Sequence, residues 1–166
     1  MTPPTRAALI AELTALLDGG NAHVTFAQAL ADLPAALRNQ PVPGVPYTIW
    51  QLVEHLRIAQ EDIVEFCVNP QHVSPEWPAG YWPAANATVD EAGWQAALHA
   101  IAHDQQRFID LLNDPATDFF APLAHGDGQN ILREALLIGD HASYHIGQLV
   151  LLRRLLMANS KVDGNE

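Results

Sequence analysis

"DHASYHIGQLV", residues 140–150, places His141 and His145 four positions apart in a stretch that otherwise reads as the packed interior of a helix. At about 100° and 1.5 Å per residue the two imidazoles sit about 40° apart around the axis and about 6 Å apart along it, close enough to converge on one ion. Spacing permits chelation, and direction decides it. With His145 as reference, Ile138, Leu149, Leu152 and Leu156 all fall within about 40° of it, so His145 points into the middle of an apolar face. An unpartnered imidazole there leaves polar nitrogens away from water, at about one to a few kcal/mol each. Something must satisfy them.

The chain contains its own control. "LHAIAHD", residues 98–104, carries His99 and His103 at the same spacing. Trp94, Ile101, Phe108 and Leu112 mark the inner face of that helix, and both histidines lie about 160° from Ile101, facing solvent. A third candidate is His55 in "TIWQLVEHLRIAQEDIVEF", residues 48–66. It lies about 60° from Leu52, on the flank of an inner stripe of Leu52, Leu56, Ala59 and Ile63, and can turn inward. A histidine on one bundle helix meeting an i, i+4 pair on another is one way bundles build metal sites. Three neutral imidazoles around a divalent first-row metal leave a coordination position for water or substrate, whereas structural zinc is normally closed by four protein ligands. The alternative is a hydrogen-bonded polar cluster of these histidines with Gln148, Glu134 or Tyr144. Gln148 shares the face of the pair, as a support or substrate contact in one reading and as the histidines' partner in the other. His23, His72 and His125 fall in loops or at helix starts, where surface or capping roles are expected.

Away from the histidines, apolar residues return every three or four positions and hardly ever alternate, so the fold is expected to be all-α. Capping boxes are read at Thr25 with Gln28, Thr48 with Gln51 and Thr88 with Glu91, and a further start at Asn130. Helices are expected near residues 4–18, 25–38 with a bend at Pro34, 48–68, 89–112 and 130–157. They make an up-and-down four-helix bundle with an extra short N-terminal helical segment, in one domain over residues 1–166. Two connections, 69–87 and 114–129, exceed the usual length between bundle helices. The first carries Pro70, Pro75, Pro78 and Pro83 with Trp77, Tyr81 and Trp82; the second carries Phe119 and Phe120. Either can cover one end of the bundle.

The 166 residues hold 19 acidic and 8 basic side chains, a net charge of −11, which leaves no basic face for phosphates and argues against nucleic-acid binding. The lone Cys67 excludes an intrachain disulfide and any multi-cysteine zinc site; late in an apolar helix with no activating neighbour, it is no candidate nucleophile. The N-terminal stretch reads as an amphipathic helix, not a signal peptide, and no window reaches the roughly 20 apolar residues of a membrane span. A cytoplasmic protein without membrane contact is the expectation.

"YTIWQLVEHLRIAQ" resembles the segment opening the second helix of the DinB/YfiT superfamily, where a capped "W-S-x-x-x-L-x-x-H-L" brings the first metal ligand. "DHASYHIGQLVLLRRL" resembles that superfamily's last-helix pattern "H-x-x-x-H-x-G-Q", and the likeness spans roughly residues 8 to 157. Thr48 stands where the family usually has a capping serine. The resemblance implies a four-helix bundle with a divalent metal held by His55, His141 and His145, zinc or nickel first and iron or manganese next. Similar proteins include metal-dependent transferases and isomerases that use low-molecular-weight thiols such as bacillithiol or mycothiol, alongside members with no assigned activity.

The functional expectation is therefore a thiol S-transferase acting on small electrophiles, with a low-molecular-weight thiol as cosubstrate and Gln148 and Tyr144 as cofactor contacts. No general base is assigned: Glu134 lies about two turns from the pair and Asp140 points elsewhere. The rival is a stress-response or binding module without turnover, its metal structural or absent. The last helix is apolar almost all round, with Leu132, Leu136 and Val150 opposite the metal face and the small Ser143 and Gly147 between, so a homodimer through that surface is expected.

Overall fold

A threonine followed by two prolines starts the first helix, because proline lacks an amide proton that the first turn could not use. In the computed structural model α1 runs Pro3–Asp18, and the Thr2 hydroxyl accepts from the Thr5 amide. The structure describes residues 1–162, with side chains through residue 158, and all regular structure among them is helical. Helix α2, Phe26–Leu30, carries the expected Thr25–Gln28 capping box but ends well short of residue 38. Asp32 takes a positive φ of 56°, and Leu33 is kept out of the helical region by Pro34, so the chain resumes only as a short 3-10 turn, Ala35–Leu37.

Helix α3, Ile49–Val68, opens on the Thr48–Gln51 capping box. Helix α4, Glu91–Asn113, is capped by Asp90, whose carboxylate accepts from the Gly93 amide at 2.8 Å, and not by Thr88. Glu91 is thereby left to pair with Arg38 at 2.6 Å. Helix α5, Ile131–Val162, starts where Asn130 Oδ1 accepts from the Arg133 amide at 2.9 Å, and it continues past residue 157.

Helices α3 and α4 run in the same direction. Trp50 meets Trp94, Gln60 donates to the Ile101 carbonyl at 2.6 Å, and Arg107 pairs with Glu65 at 2.6 Å, in step down both helices. The long connection after α3 makes this feasible, since it is able to return along the bundle before α4 begins. Helix α5 runs against both: its first turns pack Ile131, Ala135 and Ile138 on Val64, Phe108 and Leu112, while Ile146, Leu149, Leu152 and Leu156 pack on Ile49, Leu52, Leu56 and Trp94. Helix α1 rises beside α5, with Arg6 donating to the carbonyls of Leu112, Asp114 and Thr117 at one end and Gln105 donating to Asp18 at the other. The order is up, down, down, up, a crossover form of the bundle.

The connection after α4 closes the lower core. Phe119 is fully buried beneath the Arg6 guanidinium, 4.3 Å from its ring centroid, and Phe120 is exposed. Among the described residues no helix is long and apolar enough to cross a membrane.

Candidate metal centre

One flank of α3 carries three buried polar residues, Gln51, His55 and Asp62, which lie within about 40° of each other around the helix axis. Their burial follows from the connection 69–90 lying against that flank and answering each of them. The Gln51 side-chain oxygen accepts from the Thr48 amide at 2.8 Å, while its amide nitrogen donates to the carbonyls of Ala84 and Ala85 at 3.3 and 3.0 Å. His55 Nδ1 donates to the Tyr81 carbonyl at 2.7 Å, and the Trp82 ring lies flat on the imidazole, 4.0 Å between centroids with planes 2° apart. Asp62 accepts from His72 Nε2 at 2.7 Å and from the Tyr81 hydroxyl at 2.6 Å.

Opposite this flank, α5 presents His141 and His145. His145 Nδ1 donates to Gln148 Oε1 at 2.6 Å. His55 Nε2 lies 3.1 Å from His145 Nε2 and 3.0 Å from His141 Nε2, and one ligand atom from each ring falls within 4.8 Å of the others. A carbonyl oxygen only accepts, so the Nδ1 atoms of His55 and His145 carry the protons and their Nε2 atoms are bare lone pairs. Two lone pairs 3.1 Å apart have no hydrogen to share. A Lewis acid placed between them would satisfy both. Two nitrogens each about 2.1 Å from one centre lie about 3.0 Å apart at the right angle of an octahedral site and about 3.4 Å apart at the tetrahedral angle, so the spacing is close to that of ligands to a single divalent ion.

Electrostatics agrees with neutral donors. Burial holds His55 and His145 below the usual histidine range, against the opposing pull of the Tyr81 carbonyl and Gln148. Burial, then the neighbouring His145 and His55, pushes His141 down to about 4. Uncharged imidazole is the form that coordinates a metal, so the three are in the ligating state at neutral pH.

The remaining residues singled out from sequence take separate places. Gln148 stands behind His145 on its Nδ1 side, and Tyr144, 65% exposed, sets its ring edge-on to His145 at 4.9 Å. Glu134 is buried two turns down α5 against Arg133, and Asp140 is exposed. His99 and His103 are exposed. His23 approaches Ser143 Oγ at 3.0 Å, and His125 donates to the Phe66 carbonyl at 2.7 Å. Cys67 is buried, and desolvation followed by Glu134 pushes its thiol up to about 12, far from a reactive thiolate.

Sequence reasoning missed Tyr81, Trp82, Asp62, Gln51 and Tyr47, whose ring stacks with Trp82 at 5.6 Å between centroids. One signal for two of them was available. Gln51 and Asp62 are polar residues at i−4 and i+7 from His55, on a flank that otherwise faces the interior.

In comparison with known proteins, the family model of the DinB superfamily matches residues 21–149. No curated protein and no solved structure matches the chain.

Proposed function

The chain belongs to the DinB superfamily, and from that premise we propose that His55, His141 and His145 hold a divalent metal ion, and that the protein is a metal-dependent transferase joining a low-molecular-weight thiol to a small electrophile. The observation that carries the metal reading is the pair of Nδ1 hydrogen bonds, from His55 to the Tyr81 carbonyl and from His145 to Gln148, which turn two lone pairs onto one point. Neutral imidazoles suit several first-row divalent ions, and the family likeness puts zinc or nickel first with iron or manganese next. When bound, such an ion lowers the pKa of a thiol or water that reaches its open position.

The chain's own groups supply orientation. Tyr81 and Gln148 fix the ligand rings from behind, as second contacts do at many metal sites. Trp82, backed by Tyr47, walls the site against water on the His55 side. Tyr144 stands at the exposed rim beside His145, and its phenol and the Gln148 amide are the groups we assign to a cosubstrate. A homodimer is supported by the outer face of α5. Leu132 and Val150 are partly taken up by the protein's own cores, while Leu136, Gly147, Leu151 and Leu155 remain exposed along one stripe.

The test has two stages. Purified protein from metal-replete culture is expected to carry about one divalent ion per chain by elemental analysis, and His145→Ala to lose it; metal-free wild type overturns the proposal at its root. The loaded protein is then incubated with bacillithiol, mycothiol or glutathione and monochlorobimane. Conjugation above the free-thiol rate supports transfer, whereas none with any of the three leaves a metal-binding module of the stress-response type. Light scattering that gives a monomer at high concentration removes the dimer.

A further inference from the structure

We propose that Asp62 is a positioning residue for the metal centre: by anchoring the Tyr81 hydroxyl, it holds the Tyr81 carbonyl where it fixes the tautomer of His55. The proposal rests on the metal reading above only for its consequence, not for its geometry.

Asp62 is 9% exposed and lies two turns from His55 on the same flank of α3. A buried carboxylate needs strong donors, and Asp62 draws both of its own from the connection 69–90: the His72 ring at 2.7 Å and the Tyr81 hydroxyl at 2.6 Å. Neither belongs to the packed helices. The carboxylate therefore fastens a proline-rich loop to the bundle. Burial, and then Asp62 itself, pushes the Tyr81 phenol up to about 12, so the hydroxyl stays protonated and donates across the physiological range.

Tyr81 thus makes two contacts with α3. Its side chain is fastened at Asp62, and its backbone carbonyl receives the His55 Nδ1 proton at 2.7 Å. The next residue, Trp82, lies on the His55 ring. With the upper end of the loop held by Gln51 at Ala84 and Ala85, the segment between is stretched across His55 from anchor to anchor. His55 has no other acceptor for its Nδ1 proton among the hydrogen bonds it forms. When the carbonyl moves away, the proton is free to shift to Nε2, and the lone pair that faces His141 and His145 is lost from part of the population.

Tyr81→Phe removes one oxygen and keeps the ring, and Asp62→Ala removes the anchor from the other side. In metal-free 15N-labelled protein at neutral pH, long-range imidazole spectra are expected to show His55 as a single Nδ1–H tautomer in the wild type and as a mixture in both variants. The double variant should be no worse than the more affected single one, because both cut the same link. His145, supported separately by Gln148, keeps its tautomer. Cobalt(II) titration followed by visible absorption is expected to weaken about 10–100-fold in both variants. A single Nδ1–H tautomer retained at His55 in Tyr81→Phe overturns the proposal, as does additive loss in the double variant. Should Asp62→Ala fail to fold by circular dichroism, Tyr81→Phe decides alone. Wild type that takes up no cobalt refutes the metal reading, while the tautomer comparison still judges this one.

Discussion

If the three histidines are ligands, metal should stabilise the fold through them and through no other pair of the same spacing. The perturbation is His145→Ala set beside His99→Ala, one from the buried i, i+4 pair and one from the exposed pair. A ligand present at about 100 times its dissociation constant stabilises the folded state by about 2.7 kcal/mol when the unfolded chain does not bind it. For a chain of this length each kcal/mol moves Tm by about 2–4 °C, so saturating zinc should raise the wild-type Tm by about 5–10 °C. His145→Ala also removes a buried ring and lowers the metal-free Tm on packing grounds. The informative quantity is therefore the metal-induced shift within each variant, measured by differential scanning fluorimetry with and without a chelator. His145→Ala should shift by less than about 2 °C, since two imidazoles hold an ion far more weakly than three. His99→Ala should keep the full wild-type shift. Equal shifts in the two variants, or loss of the shift in His99→Ala, would show that helical direction did not select the ligands.

Because burial lowers the pKa of all three histidines, the unfolded chain binds protons below pH about 6.5 that the folded chain refuses, so metal-free stability should fall as pH drops from about 6.5 towards about 4. For His141 the displacement corresponds to about 3 kcal/mol, reduced to about 1–2 kcal/mol by screening of its partly exposed ring; urea midpoints unchanged between pH 7 and 5 would contradict this. In α5, a Cβ at Gly139 would lie 2.5 Å from Leu16 Cγ, whereas one at Gly147 meets nothing within 4 Å. Gly139→Ala should therefore lose about 1 kcal/mol net of its helix-propensity gain, and Gly147→Ala should gain about 0.5–1 kcal/mol in chemical denaturation; a reversed order would refute the packing.

What could be read from sequence was whatever depends on periodicity within one helix. The inward direction of His145 and the outward direction of His99 and His103 follow from 100° steps alone, and the structure gives the same directions. Capping at Thr25 and Thr48 was equally legible, because a hydroxyl and a glutamine three residues apart are enough to define it. At Thr88 the same pattern misled, since Asp90 is the stronger cap and Arg38, far off in sequence, claims Glu91. The break after Leu30 depended on a left-handed Asp32 that no local pattern announces. Nor does periodicity say that α4 runs alongside α3, because helix direction depends on the course of the connection between them. For the same reason Trp82 and Tyr81 were invisible as parts of the site. Their roles exist only once residues 69–90 have been laid along α3.

The acceptor that holds His55 is a peptide carbonyl, and every amino acid carries one. Substitution at position 81 can misplace this group but cannot delete it. A substitution there acts through position, by releasing the hydroxyl from Asp62, whereas one at Gln148 removes the acceptor itself. Changes of length are another matter. The loop is pinned at His72 and Tyr81 by Asp62 and at Ala84 and Ala85 by Gln51, so a single residue inserted or deleted between Tyr81 and Ala84 moves a different carbonyl opposite the ring and turns Trp82 off it. Among descendants of this chain, the connection should vary in the identity of its unanchored residues more freely than in the number of residues between its anchors.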